Sequence, residues 1–166
     1  MKYLLILLAV LSISYGEIAY QDNIDEEEAF ELFKEGAIII DVRTPSEFIH
    51  TGHGIGHINI PIFFQEYKLK PFKVIHKFSK MEQNRGKALN TRKLYKVIIR
   101  DNPNFFKNIM KVTNGNLETE IILICHSGER SKFASKILAN KGFENIYNLE
   151  GGFLAWKKAN YPWGID

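Results

Sequence analysis

Cysteine is almost absent from this 166-residue chain, in which Cys125 is the only one. A single cysteine excludes an intramolecular disulfide and a second, resolving thiol in the same chain. Any group that becomes attached to this sulfur must therefore be removed by an external nucleophile. A lone cysteine is most often a small buried core residue, so the surrounding sequence has to decide between a structural and a chemical role.

Long apolar runs are also missing. The N-terminal run at residues 3–11 is nine residues long, whereas a membrane-spanning helix needs about 20. Lys2 precedes this run and two small residues follow it, which is the order of a secretory signal peptide over residues 1–16. We expect cleavage near Glu17 and a periplasmic or secreted protein. The alternative is an uncleaved anchor, which would be the chain's only contact with a membrane.

Repeats and low-complexity segments are lacking as well, so residues 17–166 are predicted to form a single domain. Acidic residues 25–28 begin a helix that Gly36 ends, and the apolar strand 37–42 follows. Alternation of helices with buried strands predicts an α/β fold with a central, mainly parallel sheet flanked by helices. Functional loops are expected at the carboxyl ends of its strands.

The most informative motif is the sequence CHSGERS, which begins at Cys125. It follows the apolar run 120–124, typical of a buried parallel strand, and leads into a helix. The backbone between them must curl, which Gly128 permits, and its N–H groups then point inward beside a helix N-terminus. Such a loop binds anions and lowers a thiol pKa, and Arg130 adds positive charge. The helix is expected to bury Phe133, Ala134, Ile137 and Leu138 and to end before Gly142.

Three blocks of this sequence, in the same order, resemble the rhodanese family of sulfurtransferases. The first is IIIDVRTPSEF followed by GHGIGHINIP, the second is the Cys125 loop, and the third contains GF, IYNLEGG, W and YP. They cover about residues 24–61 and 117–163. Together they are far more specific than any one short motif.

The resemblance implies a rhodanese-like domain over 17–166 and a sulfurtransferase activity. Such an enzyme moves sulfane sulfur from thiosulfate or polysulfide to a thiophilic acceptor through a persulfide, here on Cys125 as the catalytic residue. The implied substrate-binding residues are His126, Ser127, Gly128, Glu129, Arg130 and Ser131. The implied partners are a small anionic sulfur donor and a thiol or protein acceptor. The family pattern implies no metal and no organic cofactor.

Two other functions fit the same motif. One is a non-catalytic periplasmic sulfur carrier or sensor that delivers persulfide sulfur to a partner protein. The other is a phosphatase or arsenate reductase of the same fold, but those enzymes have one more residue between cysteine and arginine. Four residues separate Cys125 from Arg130, which is the sulfur-transferring length. Because Glu129 opposes the charge of Arg130, polysulfide or a protein persulfide is expected to be a better donor than thiosulfate.

The segment 62–117 is unusually basic and longer than a compact rhodanese domain needs. It carries thirteen Lys or Arg and three acidic residues, a balance of +10 in a chain of net charge +3. We expect an enlarged helical insertion whose surface docks an acidic partner or an anionic surface. A helix capped by Asn102-Pro103 is expected before the Cys125 strand. Nucleic acid is not expected as the partner of an exported protein.

Four charged or titratable residues outside the loop could be mistaken for catalytic or metal-binding residues. Asp41 and Arg43 close the first long strand and resemble an acid/base pair, but we interpret them as a structural ion pair. His53 and His57 lie in a glycine-rich turn. A zinc site needs three or four ligands and no third one is near, so His53 is predicted to be a turn residue and His57 a surface residue.

Overall fold

The computed structural model describes residues 22–70 and 95–165. The predicted signal peptide 1–16 and the middle of the basic insertion, residues 71–94, lie outside the described residues. The helices are α1 (Glu26–Glu35), α2 (Pro45–Thr51), α3 (Phe105–Val112), α4 (Glu129–Ala139) and α5 (Gly152–Lys158). The strands are β1 (Asp22–Ile24), β2 (Ile38–Asp41), β3 (His53–Gly54), β4 (Ile58–Asn59), β5 (Phe63–Leu69), β6 (Tyr95–Asp101), β7 (Ile121–Ile124), β8 (Ile146–Leu149) and β9 (Trp163–Gly164).

Five strands form the central sheet in the order β1-β8-β7-β2-β4, and every pairing within it is parallel. The predicted α/β fold with a parallel sheet is therefore confirmed. All four residues of β7 are buried, because helices cover both faces of the sheet. The strand that leads into Cys125 thus lies in the middle of the molecule, with its carboxyl end at the edge where such folds hold their functional loops.

Two hydrophobic clusters lie on opposite faces of the sheet. Ile121 and Leu123 of β7 belong to one cluster, together with residues of α3 and α4. Ile122 and Ile124 belong to the other, together with residues of α1 and α5. This alternation follows from the two-residue period of a strand. Three layers result, with the sheet between two pairs of helices.

Helix α1 begins as predicted. Asp25 is its N-cap, and the carboxylate accepts hydrogen bonds from the backbone N–H groups of Glu27 and Glu28. Three glutamates occupy the first turn, where their negative charge interacts favourably with the positive end of the helix dipole. Gly36 ends the helix in a left-handed conformation. The acidic run therefore has a sufficient structural explanation.

Within the basic insertion 62–117, the described residues 63–69 and 95–101 form strands and not a helix, which corrects the sequence prediction for this part of the insertion. Strands β5 and β6 pair antiparallel from Phe63–Asp101 to Leu69–Tyr95 and form a two-stranded sheet, here called the β5–β6 ribbon. Its sequence is rich in β-branched and aromatic residues, which favour strands. A helix was predicted because the basic residues were interpreted as its solvent-exposed face. Apolar and charged residues instead alternate with a period of two, which is the pattern of a strand.

The helix predicted before β7 is present as α3, and Phe105 and Ile109 are buried beneath it. It starts two residues later than predicted, with Asn104 at the N-cap position. The Asn102 side chain instead accepts a hydrogen bond from the Asn104 N–H and donates one to the carbonyl oxygen of Pro61. Asn102 thus ties the start of the helix to the end of the first sequence block.

Two predicted exposures are wrong. Phe133 of α4 is half exposed rather than buried: its ring stacks on Phe63 at the start of the β5–β6 ribbon and does not belong to the core cluster beneath α4. His57 is buried rather than on the surface: its ring packs against Trp156, and the missing side chain of Gly54 leaves room for it. Burial lowers the pKa of His57 to about 3, so this ring is neutral at ordinary pH.

Asp41 and Arg43 form the structural pair that was expected. Both side chains are completely buried, and the guanidinium donates to the carboxylate at distances of 2.6–3.0 Å. Arg43 also donates to the Thr51 hydroxyl and to the carbonyl oxygen of Gly52. The pair therefore joins β2 to the end of α2. Within residues 22–70 and 95–165, no helix is long and apolar enough to cross a bilayer.

Candidate active site

Cys125 directly follows β7, at the carboxyl end of the central strand. Its carbonyl oxygen accepts a hydrogen bond of 2.8 Å from the N–H of Phe153 in α5, which fixes the start of the loop. Gly128 then turns the chain with a φ of +99° and serves as the N-cap of α4. The predicted order of strand, curled loop and helix is present. The sulfur therefore lies beside the positive end of the α4 dipole.

The Cys125 sulfur is held inside this loop. The residue is only 1% exposed, and the Gly128 N–H donates to the sulfur at a distance of 3.2 Å. Burial raises the pKa of the thiol, but hydrogen bonds from the Ser131 hydroxyl and from the backbone N–H groups of Ser131, Ser127 and Gly128 outweigh it and lower the pKa below its ordinary value. The loop thus favours the thiolate, which is the nucleophilic form.

Ser131 is the fully buried residue at the far end of the loop. Its hydroxyl donates to the carbonyl oxygen of Gly128 at 3.0 Å and also lies within reach of the Cys125 sulfur. A hydroxyl has one proton to donate. When the sulfur is ionised, that proton stabilises it most by turning from the Gly128 carbonyl toward the sulfur. Ser131 is therefore the one side-chain donor of the loop that responds to the charge on the sulfur.

Replacement of Ser131 by alanine should raise the pKa of Cys125, because the thiolate loses its side-chain donor while the backbone donors remain. The pH profile of Cys125 alkylation by iodoacetamide is expected to move upward by roughly half to one unit. Ser135→Ala is the matched control, since this buried hydroxyl donates instead to the carbonyl oxygen of Ser131. Identical profiles for Ser131→Ala and the wild type would show that the hydroxyl does not act on the sulfur.

Gly152 lets the start of α5 pack closely against the Cys125 loop. Its φ is +59°, and a Cβ at this position would lie 2.6 Å from the carbonyl oxygen of Cys125 and 2.8 Å from that of His126. Only glycine allows the start of α5 to approach the loop this closely. The consecutive glycines 151 and 152 in the third sequence block therefore serve the Cys125 loop directly, although they follow it by more than twenty residues in sequence.

Glu47 is the site residue that the sequence analysis missed. Its two carboxylate oxygens accept hydrogen bonds of 2.7 and 2.8 Å from the two terminal nitrogens of Arg130, a bidentate ion pair across the mouth of the loop. The same carboxylate closes the capping box of α2 with Thr44. The Arg130 guanidinium lowers the pKa of Glu47 to about 2, with Thr44 contributing through its own hydrogen bonds.

This ion pair alters the charge that was expected at the loop. Arg130 was expected to add positive charge, partly cancelled by Glu129; the structure pairs it with Glu47, and Glu129 is exposed. The pattern Thr44-x-x-Glu47 predicts a capping box from sequence alone. A partner 83 residues away along the chain leaves no such local signal, so the contact with Arg130 could only be found in three dimensions.

The remaining loop residues face outward. His126 and Ser127 are exposed, while the carbonyl oxygen of His126 accepts a hydrogen bond from Leu154. A pocket of about 330 Å³ lies along the outer side of the loop. It is lined by Asn23, Ser127, Gly128, Glu129, Lys132, Asn148, Glu150 and Gly151. Across the part of the chain that the structure describes, no three His, Cys, Asp or Glu side chains are grouped as they would be to hold a metal ion.

Comparison with known proteins identifies relatives of this arrangement. The family model described as Rhodanese-like domain matches residues 25–159. Rhodanese-like domain-containing protein 17 of Arabidopsis thaliana is 30% identical over 145 residues, which cover 87% of this chain and 73% of the relative. Thiosulfate sulfurtransferase GlpE of Vibrio cholerae serotype O1 is 31% identical over 99 residues, covering 51% of this chain and 93% of that protein.

A solved structure shares the fold. The crystal structure of a rhodanese-related protein from Thermoplasma volcanium superposes with a TM-score of 0.53 at 23% identity, covering 88% of this chain and all of the other. At this level of identity the likeness concerns the fold alone. It supports the architecture described above, in which the loop follows the central strand.

Proposed function

Because this chain belongs to the family of rhodanese-like domains, we propose that it is a sulfurtransferase that carries sulfane sulfur as a persulfide on Cys125. The observation that carries this proposal is the Gly128 N–H at 3.2 Å from the sulfur, inside a loop that lowers the thiol pKa. The same donors that stabilise a thiolate stabilise the terminal sulfur of a persulfide, which is also an anion.

The proposed cycle has two steps. The Cys125 thiolate attacks the outer sulfur of the donor, a new S–S bond forms, and the donor's own S–S bond breaks; sulfite leaves from thiosulfate, or a shortened polysulfide leaves from polysulfide, with the bonding electrons. In the second step an acceptor such as cyanide or a thiolate attacks the outer sulfur of the persulfide. The Cys125 thiolate is released, ready for another cycle. No metal or organic cofactor takes part.

We propose polysulfide, or a persulfide on another protein, as the better donor. Thiosulfate is a dianion, and it gains most from uncompensated positive charge around the loop. Here Arg130 is neutralised by Glu47, and exposed Glu129 stands at the first position of α4. Lys132 lines the pocket beside the loop and supplies one positive charge there. The N-terminal residues have the order of a signal peptide, which supports export of the protein to the periplasm or out of the cell.

The test is the intact mass of the protein before and after each donor, followed by cyanide. Loading should add one sulfur, about 32 Da, as expected for conversion of a thiol to a persulfide, and cyanide should remove it. Initial rates with cyanide should follow ping-pong kinetics, with a larger kcat/KM for polysulfide than for thiosulfate. If no donor adds sulfur, and an aryl phosphate or arsenate is turned over instead, the phosphatase or reductase alternative replaces this proposal.

A further inference from the structure

One apolar face of the β5–β6 ribbon is not covered by the residues that the structure describes. The register places alternate residues of both strands on this face, and five of them are large apolar or aromatic side chains that are 49–64% exposed. They are Tyr67, Leu69, Tyr95, Val97 and Ile99. Among the described residues, β5 and β6 pair only with each other. A contiguous exposed apolar face of this kind marks an interaction surface.

The opposite face of the β5–β6 ribbon carries four charged side chains beside Phe64 and Ile98. Glu66 and Arg100 form an ion pair of 2.8 Å near its base. Toward its end, Lys68 stands directly opposite Lys96. Like charges in a directly opposed pair destabilise a sheet, and an anionic surface nearby would relieve that repulsion. Since the ribbon is only two strands wide, each lysine stands at an edge, and its long stem can reach round to the apolar side.

The dimensions of the β5–β6 ribbon limit what can cover it. Seven residues per strand give a face about 24 Å long and about 10 Å wide, or about 240 Å². A standard protein interface buries about 800 Å² of accessible surface on each partner, so a protein bound to this narrow face would also have to contact the opposite face or the rest of the domain. A lipid surface needs no complementary shape, because each apolar side chain and each lysine adds to binding separately.

We propose that the β5–β6 ribbon binds the surface of a membrane that contains anionic lipids. Its two tyrosines and three aliphatic side chains enter the boundary between headgroups and acyl chains, and the edge lysines contact the anionic headgroups. Tyrosine is a residue that this boundary favours, since its ring is apolar and its hydroxyl polar. This proposal is independent of the sulfur chemistry and does not need it to hold.

The base of the β5–β6 ribbon connects this surface to the candidate active site. Phe63 stacks on Phe133, with ring centroids 6.2 Å apart. Phe133 lies in α4 one turn beyond Arg130, which closes the Cys125 loop. Binding through the β5–β6 ribbon would therefore hold the loop beside the membrane, where it would meet acceptors that are confined to that surface.

The test must report on the β5–β6 ribbon itself, because the apolar run at residues 3–11 could hold the full chain on a vesicle unaided. Tyr95→Trp places a fluorophore on the apolar face, and Ile165→Trp places one at an exposed apolar position outside the ribbon. Each full-length variant is mixed with phosphatidylcholine vesicles containing about 30% phosphatidylglycerol, with or without bromine on the acyl chains. Brominated chains should quench the emission added at position 95 and leave that at position 165 unchanged.

The lysines supply a second arm of the test. Lys68→Ser/Lys96→Ser should weaken binding to these vesicles about 10- to 30-fold, since each lysine near an anionic surface contributes about fivefold, and added salt should reduce the difference. Equal quenching at positions 95 and 165, or none at 95, would overturn the proposal. Salt-dependent binding to poly-glutamate without lipid quenching would assign the ribbon to an acidic protein instead. Dimerisation lost on Tyr67→Ser/Leu69→Ser would assign it to a second copy.

Discussion

Cys125→Ser is expected to abolish sulfur loading and to reduce turnover by a factor on the order of 10³ or more, to the uncatalysed background. A serine hydroxyl in the same loop stays protonated at neutral pH and cannot attack a sulfane sulfur. The fold should survive, because serine differs from cysteine by one atom and can still accept the Gly128 hydrogen bond. Intact mass with polysulfide and the initial rate with cyanide measure the two losses.

The composition of the chain allows any thiol adduct to be assigned to one residue. With no second cysteine, any thiol adduct in the wild type belongs to Cys125. The matched control is Cys125→Ser/Ser127→Cys, which restores a thiol two residues later at an exposed loop position. That thiol lacks the donors that surround Cys125, so it should remain nearly inactive in turnover. Persistent loading of the Cys125→Ser variant, or full turnover by the displaced thiol, would remove the loop from the mechanism.

The sequence predicted the parts of the site that depend on local order. The strand β7, the turn at Gly128 and the start of α4 follow one another within residues 121–129, and each has its own signal in apolar period, glycine and helix pattern. For the same reason the helix that begins at the acidic residues 25–28 and ends at Gly36 was predicted correctly, as was the presence of a helix before β7. Local signals suffice wherever the structure is decided by neighbours along the chain.

The misplaced residues all depend on contacts between distant segments. The side chain of His57 is buried because Trp156 covers it, and the ring of Phe133 stacks on Phe63 of the β5–β6 ribbon and not in the core. The β5–β6 ribbon was expected to be part of a helical insertion, because its basic residues received more weight than the alternation of its apolar side chains. No pattern within one segment reveals the partner that will pack against it. The Glu47–Arg130 pair is the most consequential contact of this kind.

Replacement of Glu47 by glutamine tests that pair through stability. The pKa of Glu47 is lowered to about 2 from an ordinary 4.5, so the folded state holds its proton less tightly than the unfolded state. The resulting stabilisation is fully present above about pH 5 and is lost as the pH falls from 4.5 toward 2. Because the side chain is 30% exposed, solvent screens the ion pair and reduces its contribution. We therefore expect the free energy of unfolding of the wild type to be greater than that of Glu47→Gln by about 2 kcal/mol at neutral pH.

Urea unfolding of both proteins at several pH values between about 2 and 7 measures this difference. The gap should be constant near neutral pH and close progressively below pH 5, because protonated Glu47 and glutamine are then equally uncharged. The matched control is Glu31→Gln, which breaks the exposed ion pair with Lys34 and should change the free energy of unfolding by less than about 1 kcal/mol. A gap that stays the same down to pH 2 would mean that glutamine disturbs the packing of α2, and that the ion pair across the loop adds little to the fold.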